Sequence, residues 1–289
     1  MARIQTFKFC VLNVKTQPHS PEKYIELFKR AANLKGKVKI RGDQVGIIGM
    51  LKTGTGVVEG QAFKFTLIDN NASWYNISKN EEASEEEVLN IQIPKDLAPN
   101  LRKFNFVLFP SIHMVAVETY TVEGVFGATS IRTFFHNLLN QPELEPDFGE
   151  VDVILQPEKE AIERAFNLSR LESLNIAISK PNMGDFFDDK SFYDKLDKMK
   201  VREFRQELRA DGSNSIEPDE EIQGLARLGA KDGVVRWKGV DLDGEKVDES
   251  TSDHPMIRKG RVTNDFNTRD EAFLDSSQAI MVELFNWTG

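Results

Sequence analysis

At 289 residues, with 40% hydrophobic and 29% charged side chains, the chain is long enough for a large core and two domains and has the balance of an ordinary soluble protein. Its net charge of −9 excludes a uniformly basic nucleic-acid binder, and the lone Cys10 excludes an intramolecular disulfide or a cysteine-based zinc site. With no signal peptide and no apolar run of membrane length, a cytoplasmic location without direct membrane insertion is expected.

Residues 4–14 read as a strand, in which Cys10 is expected to be a buried, inert thiol. Ser20 can cap a helix opened by Pro21, with Tyr24, Ile25, Phe28 and Ala32 as its apolar face. Lys29, Arg30, Lys35, Lys37, Lys39 and Arg41 then crowd the helix end and the next strand. On a strand, Lys37, Lys39 and Arg41 would point to one side, about 7 Å apart, with Val38 and Ile40 on the other. That spacing is close to the phosphate repeat of a nucleic-acid strand, although a lysine-guarded sheet edge would look the same. Strands follow at Val45–Leu51, Gly56–Glu59 and Ala62–Ile68, with Glu59-Gly60-Gln61 as a hairpin turn. Trp74 and Tyr75 could stack bases, but packing is the commoner use of such rings. Asn80–Glu87 is an acidic run suited to a solvated connector.

Charge is unevenly distributed. Residues 1–80 hold 13 Lys and Arg against 5 Asp and Glu, whereas the remainder holds 24 against 41. Such asymmetry hints at a polyanion-binding face opposed by an acidic body.

Phe104–Pro110 and Ile112–Tyr120 alternate as adjacent strands. The loop Val122–Thr129 and a helix from Ser130 to Asn140 follow, with Ile131, Phe134, Phe135, Leu138 and Leu139 at a 3.6 period. Gly124 and Gly127 suit a tight turn, and the free N–H groups near Gly127, Thr129 and Ser130 could meet an anion. The segment Val125-Phe126-Gly127-Ala128-Thr129-Ser130, with Phe134-Phe135 and the later strand Val151–Pro157, resembles the RexA family of phage exclusion proteins. In order and spacing the likeness covers roughly the first 170 residues. It extends in architecture to the KwaB family of the Kiwa defence system and to the RdgC family of recombination-associated proteins. The resemblance implies a homodimer that binds double-stranded DNA with little sequence preference in anti-phage defence or superinfection exclusion, alongside a membrane or effector partner protein.

Gln141–Glu150 carries two prolines and four carboxylates, and a helix is expected over Glu158–Leu171 before a strand at Ser173–Ser179. Pro181-Asn182-Met183-Gly184 marks a break, placing an α+β sheet domain at 1–180 and a helical region with a hairpin at 181–289. Phe192–Arg209 reads as one amphipathic helix, with Lys195, Lys198, Arg202, Arg205 and Arg209 as a basic stripe. Acidic neighbours allow the alternative of a surface helix laced with ion pairs. Residues 211–222 read as loose, Ile222–Leu228 as a short helix, and Val234–Val240 with Glu245–Glu249 as a hairpin through Asp243-Gly244. Ser250–Thr263 reads as irregular, and Asp270–Phe285 as a docking or dimer helix.

His19, His113, His136 and His254 lie in separate elements without metal-ligand spacing, so neither metal nor cofactor nor catalytic residue is assigned. The enzyme alternative is a metal-dependent nuclease using Glu150 and Asp152 with Lys159, or Asp185 and Asp188 with Lys190, or Asp241 and Asp243. The third alternative is an acidic protein-interaction module. The preferred expectation is an α+β, non-enzymatic DNA binder that neutralises phosphates through Lys35, Lys37, Lys39, Arg41 and the 195–209 stripe.

Overall fold

A chain centred on one long strand, buried on both faces, is what the computed structural model shows. It describes residues 5–16, 19–69, 72–92, 94, 96–179, 190–262 and 268–287. The first half forms β1 (Thr6–Lys15), α1 (Pro21–Leu34), β2 (Val38–Arg41), β3 (Gln44–Thr53), β4 (Val58–Thr66), β5 (Tyr75–Asn76), β6 (Glu81–Glu82), α2 (Glu85–Leu89), β7 (Arg102–Phe109), β8 (Met114–Thr121), β9 (Gly124–Val125) and α3 (Ala128–Leu139). The second half forms α4 (Glu145–Phe148), β10 (Asp152–Leu155), α5 (Glu163–Phe166), β11 (Arg170–Ser179), α6 (Lys190–Lys198), β12 (Glu203–Arg209), α7 (Glu220–Asp232), β13 (Gly233–Val240), β14 (Lys246–Ser250), β15 (Ile257–Arg261) and α8 (Arg269–Trp287).

The α+β expectation holds. A large antiparallel sheet runs β10-β1-β8-β7-β4-β3-β2, with β15 also on β1 and β9 on β8. β1 pairs with β8 along one side, while β15 and β10 share its other side end to end. α3 packs against β2 at one edge and β10 at the other, so the sheet curls around it. The concave face holds a chain of rings: Phe28, Phe106, Phe135, Phe134 and Phe126, each within 6.0 Å of the next. The convex face packs Phe7, Phe9 and Val107 against Phe273, Ile280 and Met281 of α8. Thus the last helix docks on its own chain. Being covered on both faces explains why β1 is buried almost throughout. Burial pushes the Cys10 thiol up to about 12, which makes it inert at neutral pH.

A second antiparallel sheet runs β12-β11-β13-β14, with α6 and α7 around Trp237. β11 precedes residue 180, yet both its partners follow it in sequence. β15 and α8 then return to the first sheet. The two sheets therefore interleave in the chain instead of following one another. Lys15 at the end of β1 joins them: its Nζ lies 2.8 Å from the Asp232 carboxylate at the end of α7.

Several local expectations are corrected. Gly60 is no hairpin turn but lies inside the continuous β4, where a Cβ would stand 2.2 Å from the Phe106 ring. The chain turns earlier, at Gly56 with φ of 77°. The helix expected over Glu158–Leu171 is only Glu163–Phe166, because residues from Arg170 onward pair with β13. Ser250–Thr263 contains β15, whose backbone is ordered by β1. The Pro181–Gly184 break lies outside the described residues.

α8 is tied down through Glu118, which is fully buried on β8. Its Oε2 accepts from the Asn105 backbone N–H at 2.7 Å and from Arg269 at 3.0 Å. Burial outweighs the Arg269 charge and raises this carboxyl from its ordinary value of 4.5 to about 7. A raised acid favours the protonated fold, so its contribution is full below 4.5 and is lost as pH rises through 7. Urea titrations at pH 5 and pH 8 should show wild type losing more stability across that interval than Glu118→Gln; identical losses would refute this assignment.

Candidate nucleic-acid interface

The outer strands of the large sheet gather the N-terminal cations. Lys35 ends α1 in a left-handed conformation, φ 50°, with its N–H bonded to the Ala32 carbonyl. Lys35, Lys37, Lys39 and Arg41 are all exposed. Val38 and Ile40 are buried, as the alternation predicts. The three-cation row does not keep one direction, however. Register shifts between Lys39 and Arg41, so Lys39 stands opposite Val45 and Arg41 opposite Gln44. Neighbours in β3 point to opposite faces, so Lys39 lies on the convex side and Arg41 on the side of Gln44.

Two cross-strand rows continue the convex side: Lys39, Val45, Phe65 and then Ile47, Phe63, Lys103. Lys103 Nζ sits 5.4 Å from the Phe63 ring centroid. On the concave side, Lys64 and Arg102 are direct cross-strand partners. Lys64 Nζ donates to the Val125 carbonyl at 2.8 Å and lies over the Phe126 ring. Burial, reinforced by the Arg102 charge, pulls the Lys64 ammonium below its ordinary value. A cavity of about 250 Å³ opens here between Gln44, Lys64, Thr66, Asn100, Arg102 and Val125.

Lys64, Arg102 and Lys103 were missed from sequence, although their alternation with Phe63, Phe65 and Phe104 was the signal. None of Lys35, Lys37, Lys39, Arg41, Lys64, Arg102 and Lys103 forms an ion pair with a described residue. In the loop expected to meet an anion, Gly127 is the N-cap of α3 without a side-chain cap, Thr129 is exposed and Ser130 follows in the first turn. Lys64 anchors this loop through Val125, two residues before the cap.

The C-terminal stripe is corrected. α6 stops at Lys198, Lys200 takes φ of 56°, and Glu203–Arg209 is strand β12 paired to β11. Lys195 and Lys198 are exposed on α6. Arg202 bridges Glu150 and Asp152, Arg205 pairs with Glu203 at 2.9 Å and Arg209 with Glu207 at 2.6 Å. A strand alternates at period two, so its exposed face reads Glu, Arg, Glu, Arg and largely cancels its own charge.

Two of the three carboxylate sets have structural partners. Arg202 holds Glu150 and Asp152, and Asp241 accepts from the backbone N–H groups of Asp243 and Glu245 to close the β13–β14 turn. Asp185 and Asp188 lie outside the described residues. Among the described residues, no group of three or more His, Cys, Asp or Glu side chains could hold a metal ion. No described helix is long and apolar enough to cross a membrane.

No curated protein matches the chain. A family model described as a domain of unknown function, DUF4747, matches residues 5–278, which takes in both sheets and most of α8, and the chain belongs to that family.

Proposed function

We propose that this protein binds double-stranded DNA through its phosphates, with little sequence preference, at the outer β2–β3–β4–β7 end of the large sheet. The observation that carries this reading is that Lys35, Lys37, Lys39 and Lys103, gathered there, have no ion-pair partner among the described residues, in a molecule of net charge −9, while Arg41, Lys64 and Arg102 lie on the other side of the sheet. Unpaired surface cations are free to exchange counterions for phosphates, whereas the paired arginines of β12 would first have to surrender their carboxylates. The setting in anti-phage defence or superinfection exclusion, and a homodimer that would double the basic surface, rest on the resemblance of the Val125–Ser130 segment.

Anisotropy of a labelled duplex across salt tests it. Each phosphate contact should add about −0.9 to the slope of log affinity against log salt. Lys37→Glu with Lys39→Glu should shallow that slope by about 2 and weaken binding roughly tenfold or more at low salt. Arg205→Gln with Arg209→Gln should leave affinity within about twofold, since surface pairs contribute little. Absence of binding at about 50 mM salt, or an affinity indifferent to salt, would overturn the proposal.

A further inference from the structure

We infer that the cavity between β3, β4, β7 and the loop leading into α3 is a binding site for a phosphomonoester, carried by a free mononucleotide or by the 5′ end of a nucleic-acid strand. This goes beyond the duplex reading. The cavity is on the other side of the sheet from Lys39, and a duplex interior offers no phosphomonoester.

The lining is chemically one-sided. Lys64 and Arg102 supply cationic donors, Gln44 and Asn100 amides, and Thr66 a hydroxyl, while no carboxylate of the described residues lines the cavity. Asn100, in a left-handed conformation with φ of 61°, donates to Thr66 Oγ1 at 3.2 Å, which fixes both groups at the rim. Arg41 stands opposite Gln44 and adds a third cation beside it. Two like charges on directly paired strand positions repel, and no acid among the described residues forms an ion pair with either. That arrangement is relieved by a ligand carrying about two negative charges and three acceptor oxygens, which a phosphomonoester has at neutral pH. A phosphodiester brings one charge and fewer free oxygens. An arginine fork beside a lysine point charge is the usual pairing for such a group.

Size agrees. About 250 Å³ falls just under the range of roughly 300–1,000 Å³ that encloses drug-sized ligands, so the cavity suits a headgroup and leaves the remainder outside. Lys64 is already oriented, since its Nζ is held by the Val125 carbonyl at 2.8 Å and its stem packs near Phe126. Less side-chain freedom is then lost on binding.

Calorimetric titration of the full chain with AMP, adenosine, and matched single-stranded oligonucleotides bearing a 5′-phosphate or a 5′-hydroxyl tests the inference. AMP or the 5′-phosphorylated strand should bind at least about tenfold more tightly than its dephosphorylated counterpart. That preference should shrink as pH falls through about 6, where the dianion takes up a proton. Arg102→Gln, at an exposed position that spares the fold, should abolish the preference, and Lys64→Gln should do the same. Lys37→Glu with Lys39→Glu should leave the preference intact, which separates this site from the duplex surface. Preference for the strand alone assigns the source to nucleic-acid ends, and an equal gain with AMP assigns it to nucleotides. No preference for phosphate over hydroxyl, or a preference that survives both single variants, overturns the proposal.

Discussion

Asp232→Ala is expected to lower the free energy of unfolding by about 3–5 kcal/mol, because it strands a buried ammonium. The side chains of Lys15 and Asp232 are 3% and 7% exposed, so water cannot take the place of the missing carboxylate. Asp232 Oδ1 accepts from Lys15 and Oδ2 accepts from the Tyr193 hydroxyl at 2.8 Å. Without it, Lys15 Nζ keeps, among the described residues, only the carbonyls of Ser179 and residue 232, at 3.4 and 3.3 Å. The pair lies where the large sheet meets α6 and α7, so the second sheet should loosen first. Trp237, buried in that second core, reports on it. Pairing the change with Lys15→Met removes the unpaired charge and should recover most of the loss, since apolar replacement of a buried ion pair is often neutral. A loss below about 1 kcal/mol in urea titration, or a double variant no better than the single, would show that solvent reaches this junction.

Phe135→Ala should cost a similar amount, about 3–5 kcal/mol, by a different route. The Phe135 ring is fully buried and meets Phe134 at 5.0 Å and Phe106 at 5.4 Å, both edge-on. Truncation removes its burial, leaves a cavity inside the curl, and breaks edge-to-face contacts worth about 0.5–1.5 kcal/mol each. Phe135→Leu fills most of that space and should cost only about 1–1.5 kcal/mol. Differential scanning calorimetry of the two variants checks the ordering. Equal effects would mean that the ring's shape, rather than the volume it fills, sets the stability of the curled sheet.

Much of the fold was legible from residues alone. The Ser20-Pro21 start, the apolar stripe of α3, the Asp243-Gly244 turn and the position of α8 all follow from local rules: a cap, a period, a turn residue. The exposure of Lys39 between buried Val38 and Ile40 was legible as well, because it needs only the pleat.

Three features lay beyond local rules. Phe204 and Leu208 are four apart, a spacing that suits a helix face and a strand face equally, and pairing with β11 chose the strand. That choice turned a supposed basic stripe into alternating ion pairs. Gly60 resembles a turn until the Phe106 ring, 46 residues on, is seen to need its missing side chain. Lys64 and Arg102 become neighbours only because β4 and β7 are paired. The amino-acid order set which residues could be buried and where helices begin. Which cations share a surface depended on strand register, a long-range quantity in which one bulge between Lys39 and Arg41 moves a charge to the opposite face.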